Sequence, residues 1–276
     1  MKTLLHDQHL HSSFSNDSEE DLRNYFIEAD KLKIPYIMTC EHLDFATFDG
    51  TNWIPDFDNL IKYQNELKKE FPNITPLLGL ELGYKKDYLD DTKALIEKYD
   101  FDLIQLSIHD GKYGDFYFPS TFQNKEIEVM NYYFDLMEDA LTNFRDFDSL
   151  SHIDFGFKTI VQINPKYKFN MFEDRIKRIL KMLVKLDKPL EVNSKVNEVL
   201  NNIYIENDSN YHYDDHLRYL LSLYKECGGT KLTLSSDAHK AYKYRLDFDK
   251  HIKTIKEMGF NKLSYFIKRK EYYYDL

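Results

Sequence analysis

Short apolar runs of strand length recur along the whole chain, and segments with helical periodicity separate them. The runs cover residues 3–5, 36–40, 77–82, 103–108, 149–153, 190–192 and 232–234. Each run is continuous rather than alternating, which is the pattern of parallel strands buried on both faces of a sheet. The repeated order of strand and helix, about seven times over, therefore predicts an α/β fold with a parallel sheet.

The clearest helix prediction begins near residue 18, where Ser18 and Asp21 form a start that is similar to a capping box. The apolar residues that follow share one helical face: Leu22, Tyr25, Phe26, Ala29 and Leu32. Apolar residues at helical spacing predict further helices around residues 60–67, 127–141, 176–183, 217–224 and 252–258. No linker, low-complexity segment or repeat interrupts the sequence, so we predict one domain over residues 1–276.

Residues of metal-binding type stand at or just beyond the C-terminal end of nearly every predicted strand. In chain order they are His9, His11 and Asp17, then Glu41 and His42, Glu81, His109 and Asp110, His152 and Asp154, Glu191 and Asn193, and Asp237 and His239. In a barrel of (β/α) units these strand ends converge on one mouth, whereas a doubly wound open sheet would spread them along an edge. The barrel is therefore the favoured prediction, and the open sheet is the alternative.

A single histidine or acid at a strand end is usually a hydrogen-bonded structural residue. Gathered at one mouth, however, imidazoles and carboxylates are costly to bury unless they are paired or bind a metal. Residues i and i+2 of an extended segment project to the same face, so His9 and His11 can bind one ion together. A mixed set of imidazole and carboxylate ligands suits Zn²⁺, Mn²⁺ or Fe and does not choose among them.

Charge and composition exclude several classes of function. The net charge of −10 argues against nucleic-acid binding, since a phosphate backbone must be met by clustered Lys and Arg. A small phosphorylated substrate remains compatible, because bound cations can reverse the local field. Two cysteines, no signal-like start and no apolar stretch of about 20 residues lead us to expect a cytoplasmic protein without a membrane span. The oligomeric state stays open.

At these residues the sequence resembles the PHP (polymerase and histidinol phosphatase) superfamily of metal-dependent phosphoesterases. Six motifs in this order carry the resemblance: His9-x-His11, Glu41-His42, Gly79-x-Glu81, Ser107-x-His109, His152-x-Asp154 and Ser236-Asp237-Ala238-His239. They extend over nearly the whole chain, and the arrangement is most similar to the histidinol-phosphatase branch. The resemblance implies a distorted (β/α)7 PHP-type barrel with a metal site at the C-terminal mouth of the strands.

The resemblance also implies two or three divalent ions, and it assigns nine ligands to them. His9, His11, Glu81 and Asp237 would hold the first ion; Glu81, His109 and His152 the second; Asp17, His42 and His239 the third. Some relatives have histidine where this chain has Asp17. The remaining histidines, which are His6, His212, His216 and His251, are expected to be structural or surface residues, and Cys40 to be a small apolar filler.

A hydroxide bridging two of the ions would attack phosphorus, because metal binding lowers the pKa of water towards about 7. Glu81 would bridge the ions, while Asp17, His42 or a metal-bound water would supply the proton to the leaving group. Relatives that cleave histidinol phosphate resemble one another in placing arginines near the substrate phosphate. This chain offers Lys158, Lys195 and Arg245 instead, which we predict to be substrate-binding residues.

The predicted activity is hydrolysis of L-histidinol phosphate to L-histidinol and phosphate, in histidine biosynthesis. Its ammonium group would bind a carboxylate near the mouth, for which the candidates are Asp110, Asp154 and Glu191. A PHP phosphoesterase acting on a nucleotide or phosphotyrosine is the alternative, with an aromatic wall available from Tyr113, Phe116 and Tyr117. The single Trp gives no hint of a special site. A metal-bound regulatory module without turnover is a third possibility, which the full ligand set argues against.

Overall fold

Ten strands are present in the computed structural model, which describes residues 5–276. In chain order they are β1 Tyr36–Asp44, β2 Thr75–Gly83, β3 Leu103–Ser107, β4 Asp110–Gly111, β5 Gly114–Asp115, β6 Ser149–Leu150, β7 Leu190–Asn193, β8 Leu232–Ser235, β9 Lys262–Ile267 and β10 Lys270–Asp275. Six of them form a parallel sheet in the order β1-β2-β3-β6-β7-β8. Because spatial order follows chain order, each strand lies beside the next, as in a barrel.

The segment around Leu10 closes this sheet. The backbone N–H of Cys40 on β1 donates to the carbonyl of Leu10 over 2.9 Å, and the N–H of His11 donates to the carbonyl of Ala238, just beyond β8, over 2.8 Å. Leu10 and Ala238 form a parallel bridge. The distorted seven-membered barrel is thereby confirmed, and the open sheet is excluded.

The seventh position is not where the apolar run at 3–5 predicted it. Residues 3 and 4 lie outside the described part of the chain, and Leu5 belongs to no strand. The closing segment is 9–11, which contains the His-x-His pair itself. The run at 149–153 also predicted too long a strand, since β6 has only two residues before the chain turns towards His152.

Helices separate the strands and confirm every predicted helical segment. They are α1 Leu22–Leu32, α2 Phe57–Glu70, α3 Leu89–Lys98, α4 Pro119–Phe122, α5 Glu126–Asn143, α6 Phe155–Ile163, α7 Glu173–Lys185, α8 Ser194–Asn207, α9 Asp215–Glu226 and α10 Phe248–Glu257. The sequence did not predict α3, α4, α6 or α8. In α6 nearly every side chain is buried, and the buried face of α8 includes Asn197 and Asn201, so neither helix shows an amphipathic pattern. No helix within residues 5–276 is long and apolar enough to cross a membrane.

The start of α1 differs from its prediction. Asp21, not Ser18, is the N-cap, and its carboxylate accepts from the backbone N–H of Arg23 over 2.9 Å. The Ser18 hydroxyl instead lies within hydrogen-bond distance of the carbonyls of His11, at 3.2 Å, and His239, at 3.3 Å. Ser18 therefore ties together two loops that carry metal-ligand residues.

A C-terminal hairpin of β9 and β10, which the sequence did not predict, covers the N-terminal end of the barrel. Arg269 at its turn donates its backbone N–H to Asp102, just before β3, and its guanidinium binds Asp148, just before β6. Phe266 of β9 packs against Met38, Leu77 and Leu103 inside this end. The hairpin closes one end of the barrel and leaves the other end for ligands.

Gly79 provides a test of this packing, because β1 and β2 approach each other closely there. A Cβ atom on Gly79 would lie 2.5 Å from the carbonyl oxygen of Thr39 and 3.1 Å from the sulfur of Met38. Gly79→Ala should therefore destabilise the fold by about 1–3 kcal/mol, the range for overpacked cores. Thermal unfolding should show a lower Tm, while Thr75→Ala at the exposed start of β2 should change it little. An unchanged Tm for Gly79→Ala would contradict the close strand contact.

Candidate metal centre

Glu81, at the end of β2, lies buried at the centre of a ring of imidazoles. Its two carboxylate oxygens are 2.7 to 3.4 Å from the nearest nitrogen of each ring. The five rings belong to His9, His11, His42, His109 and His152. The five rings lie on four strand ends or strand-like segments. Together with β2, which carries Glu81, five segments therefore meet at one carboxylate, as convergence of the barrel mouth requires.

Asp17, Asp237 and His239 extend the cluster towards solvent. The Asp17 carboxylate is 2.9 Å from His239 Nε2 and 3.4 Å from His42 Nε2, and Asp237 Oδ1 is 3.3 Å from His11 Nε2. All nine predicted metal ligands are therefore brought together by the fold.

Four overlapping groups have ligand atoms close enough to share an ion, all within 4.8 Å of one another. They are His9, His11 and Glu81; His42, Glu81 and His109; His9, His152 and Asp237; and His11, Asp17, His42 and His239. The first group lies within the first predicted ligand set. The last contains the whole third set and adds His11, while His109 groups with His42 rather than with His152.

Buried carboxylates hold two of the rings from behind. Glu191 of β7 lies 2.8 Å from Nδ1 of His9, and Asp44 at the end of β1 lies 2.8 Å from Nδ1 of His109. An ionised carboxylate only accepts hydrogen bonds, so each Nδ1 carries a hydrogen, and Nε2 is the atom with which either ring would bind a cation beside Glu81. The sequence did not predict these supporting roles.

Glu41 supports a third ring through a serine. The Ser15 hydroxyl donates to Glu41 over 2.6 Å and lies 3.1 Å from Nδ1 of His11. Ser12 donates to the same carboxylate from its backbone and its hydroxyl. The position of Glu41 in a Glu-His motif was visible in the sequence, but its link to His11 was not.

The centre has the polar atoms that a divalent cation would satisfy. Nε2 of His9, Nε2 of His11 and Oε2 of Glu81 are buried, and none has a hydrogen-bond partner. In the neutral ring of His9 with its hydrogen on Nδ1, which is the form that binds a metal ion, Nε2 and the Glu81 oxygen are both acceptors and lie 3.1 Å apart. Buried acceptors without donors cost free energy, and a cation between them removes that cost. The residues present therefore fit a divalent metal ion.

The acids of the centre stay ionised at neutral pH. Burial by itself would raise the pKa of the Glu81 carboxyl, but the imidazoles of His9 and His109 hold that pKa well below its usual range. Burial likewise opposes ionisation of Asp237, whose pKa is nevertheless held well below its usual range by Lys195 and His9. Ionised carboxylates are the form that binds cations.

A cavity of about 370 Å³ opens above the cluster. Beyond the metal-ligand residues its wall consists of Trp53, Asp115, Tyr117, Phe118, Phe155 and Lys195. Of the three predicted aromatic residues only Tyr117 lines this cavity. Trp53, for which the sequence gave no functional signal, belongs to the wall because its strand-like segment pairs with Asp44.

Of the three predicted substrate-binding residues, only Lys195 lines this cavity, and Lys158 is buried against Phe155 and Tyr117 of its wall. Lys195 Nζ is 3.4 Å from Asp237 Oδ1 and 3.1 Å from His239 Nδ1. Lys158 is only 3% exposed, and its ammonium lies 4.2 Å from the centre of the Phe155 ring and 5.3 Å from that of Tyr117. Burial, assisted by the charge of Lys195, lowers the pKa of Lys158 to about 8.

Arg245 is placed differently from its prediction. Its backbone N–H donates to Asp7, and its guanidinium carbon lies 5.2 Å from the centre of the Phe248 ring. It does not belong to the wall that the described residues form around the cavity. The prediction that Arg245 binds substrate finds no support in this geometry.

The carboxylates predicted for an ammonium group are also engaged elsewhere. Glu191 lies beneath the imidazoles, Asp110 pairs with Lys85, and Asp154 is 2.7 Å from His216 Nε2. The cavity wall contains Asp115 instead. Asp115 accepts from the backbone N–H of Tyr117 over 2.7 Å, and burial raises the pKa of its carboxyl. Its place on the short strand β5 gave no signal in the sequence.

The remaining histidines and Cys40 lie outside the cavity wall. His6 is hydrogen-bonded to Tyr274, His216 to Asp154 and His251 to Asp214, while His212 is exposed. The Cys40 thiol donates to Gln105 Oε1 over 3.1 Å, and burial raises its pKa well above the usual range. A thiol in that state is a poor nucleophile.

Known proteins resemble this chain over nearly its whole length. A model of the PHP domain family matches residues 7–195. The histidinol-phosphatase of Lactococcus lactis subsp. lactis (strain IL1403) is 29% identical over 269 residues, which cover 96% of this chain and 95% of that protein. The probable histidinol-phosphatase of Clostridium acetobutylicum is 27% identical, with 91% of this chain and 92% of that protein covered.

A solved structure adds a likeness of fold. The crystal structure of histidinol phosphate phosphatase from L. lactis, complexed with zinc, L-histidinol and phosphate, matches with a TM-score of 0.81 and 27% sequence identity. The match covers 96% of this chain and 98% of that chain.

Divalent metal should stabilise the fold, because the ion binds ligands that only the folded chain gathers. Zn²⁺ at about 100 times its Kd should add about 2.7 kcal/mol, a rise in Tm on the order of 5–10 °C over chelator-treated protein. Differential scanning calorimetry measures the shift. Glu81→Gln should lose most of it, whereas Gln64→Leu, a buried change on α2 outside the centre, should keep it. Equal shifts in wild type and Glu81→Gln would contradict the central role of Glu81.

Proposed function

The chain belongs to the PHP domain family, and from this premise we propose that it is a metal-dependent phosphatase that hydrolyses L-histidinol phosphate to L-histidinol and phosphate. Relatives that match it over nearly their whole length are a histidinol-phosphatase and a probable histidinol-phosphatase, in agreement with the predicted branch of the family. The observation that carries the proposal is a single cavity bounded by the metal centre, a lysine, a carboxylate and four aromatic rings. The proposal includes a place in histidine biosynthesis and a cytoplasmic location.

The metal centre in this proposal holds two or three divalent ions, which are Zn²⁺, Mn²⁺ or Fe. When bound, such ions supply electrostatic stabilisation of the phosphoryl oxygens and an activated water nucleophile. Oε2 of Glu81 faces His9, His11 and His42, and Oε1 faces His109 and His152. This arrangement suits a bridging carboxylate. The other ligands are His9, His11, Asp17, His42, His109, His152, Asp237 and His239.

The phosphate end of the substrate is assigned to Lys158 and Lys195. A buried ammonium with a lowered pKa, such as that of Lys158, is stabilised when a phosphate dianion enters its surroundings. Lys195 lies beside Asp237 and His239, so it can contact a phosphoryl oxygen at the edge of the centre. Lysine supplies point charges here rather than the planar fork of arginine.

The histidinol end of the substrate is assigned to Asp115 and to the aromatic residues of the cavity wall. Asp115 is the acidic residue of the wall that is not among the proposed metal ligands, so it is the partner we assign to the substrate ammonium. Trp53, Tyr117, Phe118 and Phe155 provide aromatic faces on which an imidazole ring can stack. The cavity thus offers complementary chemistry for all three parts of histidinol phosphate.

Departure of the alcohol requires a proton, and we assign its delivery to the pair formed by Asp17 and His42 when the centre holds two ions, because a third ion would bind both residues itself. Both line the cavity, and Asp17 Oδ2 lies 3.4 Å from His42 Nε2. The Asp17 side chain is 40% exposed, so the pair can exchange protons with solvent. Glu81, the third proposed catalytic residue, is buried and acts by holding the ions.

A second candidate is a phosphate ester of another aromatic compound, such as a nucleotide or phosphotyrosine. The four aromatic residues of the wall favour it, since they could stack on a base or a phenyl ring as well. The two candidates differ in the ammonium group, which Asp115 would recognise only in histidinol phosphate.

The proposed substrate is tested by comparing kcat/KM for histidinol phosphate with the values for p-nitrophenyl phosphate, phosphotyrosine peptides and nucleoside monophosphates. A charge-assisted hydrogen bond to Asp115 is worth about 1.5–3 kcal/mol, so esters without the amine should react roughly 10- to 100-fold less efficiently. Asp115→Asn should reduce this preference. A nucleotide or phosphotyrosine that exceeded histidinol phosphate tenfold would overturn the substrate and leave the metal centre intact.

Lys158 should impose a pH dependence on substrate binding. With its pKa lowered to about 8, the ammonium is charged below that pH and becomes neutral above it. Because the charged form attracts the phosphate dianion, kcat/KM should fall as pH rises through about 8. Lys158→Arg, which stays charged, should remove this fall, and Lys158→Met should lower kcat/KM about 10- to 100-fold at pH 7. Identical pH profiles for wild type and both variants would show that Lys158 does not contact the phosphate.

A further inference from the structure

The carboxylate of Glu191 is surrounded by hydrogen-bond donors. It lies on β7 with its side chain completely buried inside the barrel, directly beneath the metal centre. Its carboxylate accepts five hydrogen bonds, from His9 Nδ1, Gln105 Nε2, Ser235 Oγ, the backbone N–H of His152 and Asn193 Nδ2. Both oxygens are therefore occupied by donors of the protein itself.

Two of these donors belong to proposed metal ligands on either side of Glu81. Oε1 of Glu191 is 2.8 Å from Nδ1 of His9, and Oε2 is 2.8 Å from the backbone N–H of His152. Holding the Nδ1 hydrogen of His9 leaves its Nε2 lone pair free to face Glu81. Holding the N–H of His152 sets the position from which that ring reaches Glu81, at 2.7 Å.

Glu191 is not itself placed to bind an ion. It belongs to none of the four groups of potential ligands that the described residues form, and it does not line the cavity. We infer that Glu191 is a positioning residue of the metal centre, which acts by keeping His9 in its metal-binding tautomer and by fixing the backbone at His152. This inference rests on the metal centre of the proposed function and is independent of the identity of the substrate.

Glutamine at position 191 separates this role from simple packing. Its amide has nearly the same shape but only one accepting oxygen. If the NH₂ group faces His9, that ring must shift its hydrogen to Nε2 and lose its lone pair for metal. If the NH₂ group faces His152, two N–H donors oppose each other. Neither orientation of the amide serves both ligands.

The experiment measures Zn²⁺ affinity by competition with a chelator of known affinity, without substrate. Glu191→Gln should weaken Zn²⁺ binding about 10- to 100-fold, the usual effect of losing a carboxylate that supports a histidine ligand. Thr233→Val is the matched control, because Thr233 is a buried residue of the neighbouring strand that bonds to Ser149 and not to a ligand. Thr233→Val should bind Zn²⁺ within threefold of wild type even if its Tm falls.

If the wild-type protein binds Zn²⁺ and the affinity of Glu191→Gln lies within threefold of it, the inference is overturned while the proposed function stands. Wild-type protein that bound none of Zn²⁺, Mn²⁺ and Fe²⁺ would overturn the proposed function and this inference with it. If Glu191→Gln does not fold, ¹⁵N NMR of histidines in zinc-loaded wild type gives the answer. His9, identified by comparison with His9→Gln, should carry its hydrogen on Nδ1; a hydrogen on Nε2 would overturn the inference.

Discussion

A buried carboxylate surrounded by five imidazoles is the constraint on which the rest of this structure depends. Oε2 of Glu81 lies 3.1 to 3.4 Å from the Nε2 atoms of His9 and His11, and none of these three buried atoms has a hydrogen-bond partner. Such a cluster persists only if the surrounding fold holds each ring in place and a cation relieves the repulsion. The carboxylates of Glu191 and Asp44 provide that support, because they accept from Nδ1 of His9 and of His109. The centre therefore consists of the candidate ligands and a second set of charged side chains around them.

The two ends of the barrel differ in their roles. Residues at the N-terminal end stabilise the fold, and residues at the C-terminal end form the metal centre. At the N-terminal end, Arg269 and Phe266 of the C-terminal hairpin bind the loops and apolar residues from which the strands start. At the C-terminal end β6 stops after two residues, which leaves room for polar side chains to converge. The closing segment at 9–11 belongs to both functions, since it joins β1 to the end of β8 and carries two of the imidazoles.

Charge within the cavity is organised locally and differs from the net charge of −10. Lys195 lies beside Asp237 and His239 of the metal centre, the buried Lys158 lies against Phe155 of the cavity wall, and Asp115 belongs to the same wall. A substrate with a phosphate at one end and an ammonium at the other matches this polarity, with aromatic faces for an imidazole.

The sequence by itself predicted six strands of the parallel sheet, the barrel and the nine candidate ligands, because the motifs that indicate them are each short and local. A polar residue at the end of an apolar run needs only local periodicity to be recognised. Only the tertiary structure decided which residues support or surround the ligands. Glu191 meets His9 across 182 positions of sequence, Asp115 and Trp53 reach the cavity through short connecting segments, and Arg245 lies against Phe248 and is not part of the cavity wall. Contacts between distant segments leave no periodic pattern in the chain, since they are set by the packing of the barrel as a whole.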